Sequence, residues 1–451
     1  MNPKPAWITA DNVALLTDLY ELTMLQAYWR EGMDREATFS LYSRSLSSTR
    51  NFLLACGLSD ALDCLETMRF TPRALDYLTS RDEFSGEFLD WLKDFRFSGT
   101  VRAVPEGTPV FPDEPLLEVT GPLPEAQVVE TVLMNQVHFQ TVAASKAARV
   151  VLAADGRAVV DFGLRRIHGT DAGLKGARAF YVAGVAATSN VLAGEVYGVP
   201  ITGTMAHAYI QAHDDEMTAF REFTELYPDT ILLVDTYDTL EGVRKVISLA
   251  REKGEAFRVR GIRLDSGDLA DLARKSRDLL DEAGLTDVQI FASGGLDEDK
   301  IAGMVRAGAP IDGFGVGTRM SVSRDTPALD MAYKLTAYGG KGRLKLSTGK
   351  PLLPGPKQVF RQEEGGMATG DLVALEEEDH PGRPLLVPVM EGGERLPESS
   401  RNLEDVRTCA KEQIRSLPPR LRAMEKADPP YPVNVSDTLK EYHEEVAERV
   451  E

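Results

Sequence analysis

The run Val259-Arg260-Gly261-Ile262-Arg263-Leu264-Asp265 leads into Ser266-Gly267-Asp268 and then into the helical stretch Leu269–Ala283. A short apolar segment ends in a polar, glycine-containing cluster, and a helix comes next. Five more segments repeat this succession: Ala158–Asp161, Val199–Thr204, Ile231–Asp235, Val288–Ser293 and Asp312–Gly317. Their exits are Phe162-Gly163-Leu164-Arg165-Arg166, Met205-Ala206-His207, Thr236-Tyr237-Asp238, Gly294-Gly295-Leu296-Asp297 and Thr318-Arg319. Spacings of roughly 25–40 residues suit a parallel strand, a loop, a crossover helix and a return loop. The rhythm predicts a β/α barrel with its chemistry at the strands' carboxyl rim, where Arg, Asp, His and Gly are concentrated. Any single cluster also reads as a helix start, with Asp268 or Asp297 capping the next helix. Six in succession ask for more than capping.

Outward from the barrel the pattern changes. Leu15–Trp29 has helical spacing and Thr38–Ser43 alternates like a strand, whereas Gly99–Gly121 is broken by Pro105, Gly107, Pro109, Pro112 and Pro115. That interruption suits turns and edge strands. Two helical stretches, Leu403–Leu417 and Val435–Val450, flank Pro429-Pro430-Tyr431-Pro432. The expectation is an α/β chain. An N-terminal α+β domain at 1–135 precedes an irregular β/α barrel at 136–335, and a C-terminal region at 336–451 packs on both.

Charge and cysteine content exclude several classes. With 51 basic against 70 acidic residues, a net charge of −19, neither nucleic acid nor an anionic membrane is the expected partner. Positive charge for any anionic substrate must then be local. Cys56, Cys64 and Cys409 have no metal-ligand spacing, so no zinc site or disulfide framework is expected. No run approaches the roughly 20 apolar residues of a membrane span, and Met1–Asn12 has no apolar signal core. A cytoplasmic location is expected.

At the rim, Arg165, Arg166, Arg263 and the Gly315-Val316-Gly317 turn offer charged forks and backbone N–H groups that suit phosphate. Asp265 and Asp268 suit a hydrated magnesium held through water, or else internal ion pairing with Arg263. His207 comes after Ile201-Thr202-Gly203-Thr204 and reads as a nucleophile toward phosphoryl groups if a carboxylate, Asp235 or Asp238, holds its opposite ring nitrogen. A structural histidine is the plainer reading. Phe162 beside Arg165 offers a flat ring next to a cation. Tyr20 is either the second plate of a sandwich or a core residue of its helix.

These segments, in this order, resemble the nicotinate phosphoribosyltransferases, which are type II phosphoribosyltransferases. The resemblance begins at Thr17-Asp18-Leu19-Tyr20-Glu21-Leu22-Thr23-Met24 and includes Asp161-Phe162-Gly163-Leu164-Arg165-Arg166, Thr188-Ser189-Asn190-Val191 and Gly203-Thr204-Met205-Ala206-His207. It continues through Asp235-Thr236-Tyr237-Asp238 and Arg263-Leu264-Asp265-Ser266-Gly267-Asp268. Lys345-Leu346-Ser347, Pro354–Arg361 and Pro430-Tyr431-Pro432-Val433 complete it. The resemblance implies the transfer of phosphoribosyl from phosphoribosyl pyrophosphate to nicotinate, coupled to ATP hydrolysis, with Mg2+, in NAD salvage. It implies that Phe162 and Tyr20 sandwich the pyridine ring, Tyr20 coming from the partner subunit of a homodimer. Arg165 would hold the carboxylate, Arg263 and Asp265 would contact substrate and ribose, and Gly315 and Gly317 the 5′-phosphate. His207 would become a phosphohistidine, oriented by Asp235. Lys341, Arg343, Lys345, Lys350 and Lys357 are its candidates for ATP phosphates.

Two stretches depart from the family pattern. Arg44-Ser45-Leu46-Ser47-Ser48-Thr49-Arg50-Asn51-Phe52 stands where many members carry glycines, and Ser293-Gly294-Gly295 has no acidic residue for ribose. Two rival functions differ in single features. A nicotinamide-specific enzyme has aspartate where this chain has Asn190, and a carboxylate there favours an amide over an acid. A non-catalytic sensor of NAD precursors has no need of His207. Asn190 is read as a substrate contact, with the alternative that it satisfies backbone groups of its turn.

Overall fold

The computed structural model describes residues 7–346 and 352–450. Contacts divide the chain into two units, Lys146–Asp325 and, as the other, Met1–Ser145 with Thr326–Glu451. The chain's two ends therefore build one unit together, and the barrel segment is inserted between them.

In Lys146–Asp325 the parallel strands are β1 (Ala158–Asp161), β2 (Ala187–Thr188), β3 (Ile231–Leu233), β4 (Gly261–Leu264), β5 (Gln289–Ala292) and β6 (Gly313–Val316). They lie in the order β2-β1-β6-β5-β4-β3. First and last strands are neighbours, with Ala158 opposite Gly313 and Asp161 opposite Val316. That adjacency makes the winding circular, as in a barrel. One seam stays open. The expected strand Val199–Thr204 gives only a parallel bridge from Ile201 to Thr188. Pro200 has no N–H to donate, and the segment's bonds converge on Thr188, which donates to the Pro200 carbonyl and accepts from the Thr202 N–H. Among the described residues no ladder joins this segment to β3.

Strands and helices form for ordinary reasons. Leu232, Leu233, Ile262, Leu264, Ile290, Phe314 and Val316 are buried, as both faces of a covered parallel sheet require. The helix Leu269–Glu282 buries Leu269, Ala273, Ser276 and Leu280, a spacing of three to four that places them on one face.

The other unit rests on a seven-stranded sheet in which Glu36–Ser43 pairs antiparallel with Met331–Tyr338 on one side and Pro115–Pro122 on the other. Thr100–Ala103 is next, paired with Pro115–Pro122 and with Val387–Glu391. Thr100–Ala103 and Pro115–Pro122 are thus interior strands, whereas Pro109–Val110 pairs with Leu53–Leu54 in a two-stranded sheet of its own, where each strand is an edge. Pro105 and Pro112 fall in the connections, and Pro109 and Pro115 open their strands. A second sheet is built on Lys357–Glu364 and Met367–Leu375, with Val433–Val435 beside the latter.

Candidate active site

Most residues at the carboxyl rim of the barrel follow a strand end, His207 following the segment that forms only a bridge. Phe162 leaves β1, and its ring lies against Gly315 of β6, where a Cβ would come within 2.4 Å of a ring carbon. The Arg263 guanidinium, from β4, stands 5.7 Å from the ring centroid, within cation–π reach. Gly315 is buried inside its strand opposite Val160, so its lack of a side chain serves the ring of Phe162 and presents no open loop. Gly317 lies beyond the strand end, next to the Arg166 guanidinium. Arg166 also donates from Nε to the Thr318 hydroxyl. Arg165 is exposed, and among the described residues its guanidinium has no hydrogen-bond or ion-pair partner.

Asp161 holds this exit in shape. Its buried carboxylate accepts the Gly163 N–H at 2.8 Å and the Thr188 hydroxyl at 2.8 Å. Burial raises this carboxyl above its ordinary value, and the two hydrogen bonds act against the rise.

His207 opens the short helix His207–Gln211. Its Nδ1 lies 3.1 Å from the Thr236 hydroxyl oxygen, and its Nε2 lies 3.9 Å from Asp265 Oδ2, beyond hydrogen-bond distance. Neither carboxylate expected to hold the ring does so. Asp235 Oδ2 accepts the Asp265 N–H at 2.9 Å and the Ser266 hydroxyl at 2.7 Å, while Asp238 caps Thr239–Lys253 by accepting from Glu241 N–H. Asp235 thus fixes the loop after β4. Asp265, projecting from that loop, accepts the Ser293 hydroxyl on Oδ1.

Arg263 donates to the Thr204 hydroxyl at 2.8 Å and to the Met205 carbonyl at 3.1 Å, tying β4 to the segment at the open seam. Burial draws its guanidinium below its ordinary value, with Asp265 and Asp235 acting in the opposite direction. Its Nε is buried without a partner among the described residues, as is Asp235 Oδ1. Among the described residues no group of three or more His, Cys, Asp or Glu gathers as a metal cluster. Asp265 Oδ2 and the unpartnered Asp235 Oδ1 are oxygen donors of the kind a largely hydrated magnesium takes, one or two at a time. Asp268 also caps Leu269–Glu282, its Oδ1 accepting the Asp271 N–H at 3.1 Å.

Asn190 proves to be a helix cap. Its Oδ1 accepts from Ala193 N–H at 3.3 Å, its Nδ2 donates to the Gly173 carbonyl at 3.0 Å, and the residue is 4% exposed. Both ends of the amide are engaged with backbone groups of the turn, as the alternative reading of Asn190 has it. Tyr20 belongs to the other unit, at the first turn of Leu19–Glu31, and is 48% exposed rather than core. Lys357 is withdrawn from the ATP candidates, because it is buried with Nζ 3.1 Å from Glu118 Oε1. Lys341 and Lys345 are exposed, Arg343 lies 5.8 Å from the Tyr338 ring centroid, and Lys350 lies outside the described residues. Arg44 pairs with Asp330 at 3.3 Å, and Arg50 is buried.

Sequence reading passed over three hydroxyls: Thr236, Ser266 and Ser293. Each stands in or beside a strand exit, next to a carboxylate or a glycine, and that position was the available signal.

A sequentially wound parallel barrel that sets an aromatic plate, arginines and a histidine on one rim defines an enzyme for flat, anionic and phosphorylated substrates. Three family models cover the chain: the nicotinate phosphoribosyltransferase N-terminal domain at residues 15–138, the nicotinate phosphoribosyltransferase family at 158–361, and the C-terminal domain at 382–443. The chain belongs to the nicotinate phosphoribosyltransferase family. It is 54% identical over 426 residues to nicotinate phosphoribosyltransferase pncB2 of Mycobacterium tuberculosis, covering 94% of this chain and 92% of that one. With the Bacillus subtilis nicotinate phosphoribosyltransferase it shares 42% identity over 378 residues, 82% of this chain and 77% of the other. The crystal structure of human nicotinic acid phosphoribosyltransferase superposes with a TM-score of 0.85 at 29% identity, over 95% of this chain and 99% of that one. Among the described residues no helix is long and apolar enough to cross a membrane.

Proposed function

We propose that this chain joins nicotinate to phosphoribosyl pyrophosphate, giving nicotinate mononucleotide and pyrophosphate with hydrolysis of ATP, in the cytoplasmic salvage route to NAD. The observation that carries the reading is the Phe162 ring, bedded on Gly315 with Arg263 over it and unpaired Arg165 three residues on, at the same rim as His207. A flat ring finds a plate and its carboxylate finds a fork.

The pyridine nitrogen attacks the anomeric carbon while the bond to pyrophosphate breaks, and positive charge develops on the ribose. No protein nucleophile enters that step. Arg166 and Arg263 supply fixed positive charge for the phosphates, and positioning does much of the catalysis. Magnesium, held through water at Asp265 and Asp235, would neutralise pyrophosphate. His207 serves the coupling half-reaction. A ring nitrogen lone pair forms the bond to the γ-phosphorus as the β,γ-bridging bond breaks, its electron pair leaving with ADP, and water later discharges the phosphohistidine. Tyr20 of the partner subunit in a homodimer supplies the second plate for the ring.

The test is direct. Purified protein with nicotinate, phosphoribosyl pyrophosphate, magnesium and ATP should give mononucleotide and ADP, and nicotinamide in its place should give little. Efficient turnover of nicotinamide would move the chain to the amide-specific activity, and binding of nicotinate without turnover would make it a sensor.

A further inference from the structure

Of the three hydroxyls at these strand exits, two are spent on carboxylates: Ser266 on Asp235 and Ser293 on Asp265. The third, Thr236, meets the imidazole itself, 3.1 Å from Nδ1. The nearest carboxylate oxygen, Asp265 Oδ2, is 3.9 Å from the other ring nitrogen and makes no hydrogen bond to it. His207 is therefore held by a neutral group. We propose that Thr236 is a positioning residue for His207, its hydroxyl fixing the plane of the ring.

The choice of a hydroxyl has a chemical consequence. A carboxylate at that nitrogen stabilises the charged imidazolium strongly, as in hydrolase triads, and would stabilise the charged phosphohistidine in the same way. A neutral hydroxyl orients the ring while leaving the phosphorus–nitrogen bond easier to discharge, which a coupling intermediate needs. Thr236 reaches this place because it comes directly after Asp235, whose carboxylate is turned to the loop after β4.

This inference rests on His207 being the phosphorylated residue, so the wild-type protein is labelled first with γ-phosphate-labelled ATP. Acid-labile label on His207 is the precondition, and its absence overturns the coupling role and this inference together. Given that label, Thr236→Val should slow its appearance about tenfold or more, with the KM for nicotinate within about twofold of wild type. Thr236→Ser, which keeps the hydroxyl, should restore labelling to within about threefold. Thr236→Val labelling at the wild-type rate overturns the inference. So does equal loss in Thr236→Val and Thr236→Ser with melting temperatures unchanged, because the hydroxyl would then be irrelevant.

Discussion

Replacing Asn190 by aspartate distinguishes a helix cap from a specificity residue. Aspartate keeps the cap on the Ala193 N–H and suits a helix N-terminus. It fails at the other end. Where Nδ2 donates to the Gly173 carbonyl at 3.0 Å, a carboxylate oxygen would face a carbonyl oxygen in a site that is 4% exposed. Losing one buried hydrogen bond and leaving an acceptor without a donor costs about 1–3 kcal/mol, and roughly 2–4 °C of melting temperature accompanies each kcal/mol in a unit of this size. Protonation restores a donor, so the introduced carboxyl has a raised folded-state pKa. The stability it contributes is complete below the unfolded value, about 3.9, and is lost as pH rises through the folded one. The deficit relative to wild type should thus be small near pH 4 and full at pH 7. Melting curves across that range measure it, alongside kcat/KM for nicotinate and nicotinamide, whose ratio should move by less than about threefold. Wild-type melting at pH 7 with a tenfold or greater shift of that ratio would refute the reasoning and return Asn190 to the substrate.

His207→Ala should abolish acid-labile labelling from ATP and nicotinate-stimulated ATP hydrolysis while a slow, ATP-independent phosphoribosyl transfer persists; undiminished label would assign the phosphoryl acceptor elsewhere. Gly315→Ala puts a Cβ 2.4 Å from a Phe162 ring carbon and should displace the plate at a cost of about 1–3 kcal/mol, read as a raised KM for nicotinate with a modest fall in melting temperature. Glu21, buried and accepting from Gln127 Nε2 at 2.8 Å, has its carboxyl pushed up to about 7 from an ordinary 4.5, burial being the main cause. The folded value is the higher one, so the stability this group contributes is complete below about 4.5 and is lost toward pH 7, by roughly 3 kcal/mol. Glu21→Gln should remove that slope in denaturant midpoints between pH 5 and 8 and be the more stable protein at pH 8.

What could be read from the sequence was local. Ala158–Asp161 is recovered residue for residue as β1 because an apolar run between polar exits marks its own ends, whereas β2, two residues long, has no room for a pattern. The proline-broken region, whose turns and short edge strand Pro109–Val110 were legible, hid its two interior strands for a different reason. Edge or interior depends on partners, and the sheet is completed by Met331–Tyr338, some three hundred residues from Glu36–Ser43. Burial misled in the same way at Lys357. A basic segment suggested phosphate, yet Lys357 lies on Glu118. Arg361, four residues on, pairs with Asp371 at 2.9 and 2.6 Å, near the rings of Phe111 and Tyr431. The tyrosine belongs to Pro430-Tyr431-Pro432, so two segments of the family resemblance build one buried cluster.

At the rim the difficulty was one of phase. Asp235 and Thr236 follow β3 in an irregular exit, where no fixed alternation of side chains tells which of them faces His207, and composition favours the carboxylate. The structure turns Asp235 toward Asp265 N–H and Ser266 and leaves the ring to Thr236. Which of two neighbours touches the imidazole is set by how the chain is rotated where it leaves the strand. That rotation is fixed here by the loop after the adjacent strand β4, whose N–H and hydroxyl claim the carboxylate. The family motif Asp235-Thr236-Tyr237-Asp238 thus carries three tasks in four residues: Asp235 shapes the neighbouring exit, Thr236 holds the imidazole, and Asp238 starts the helix.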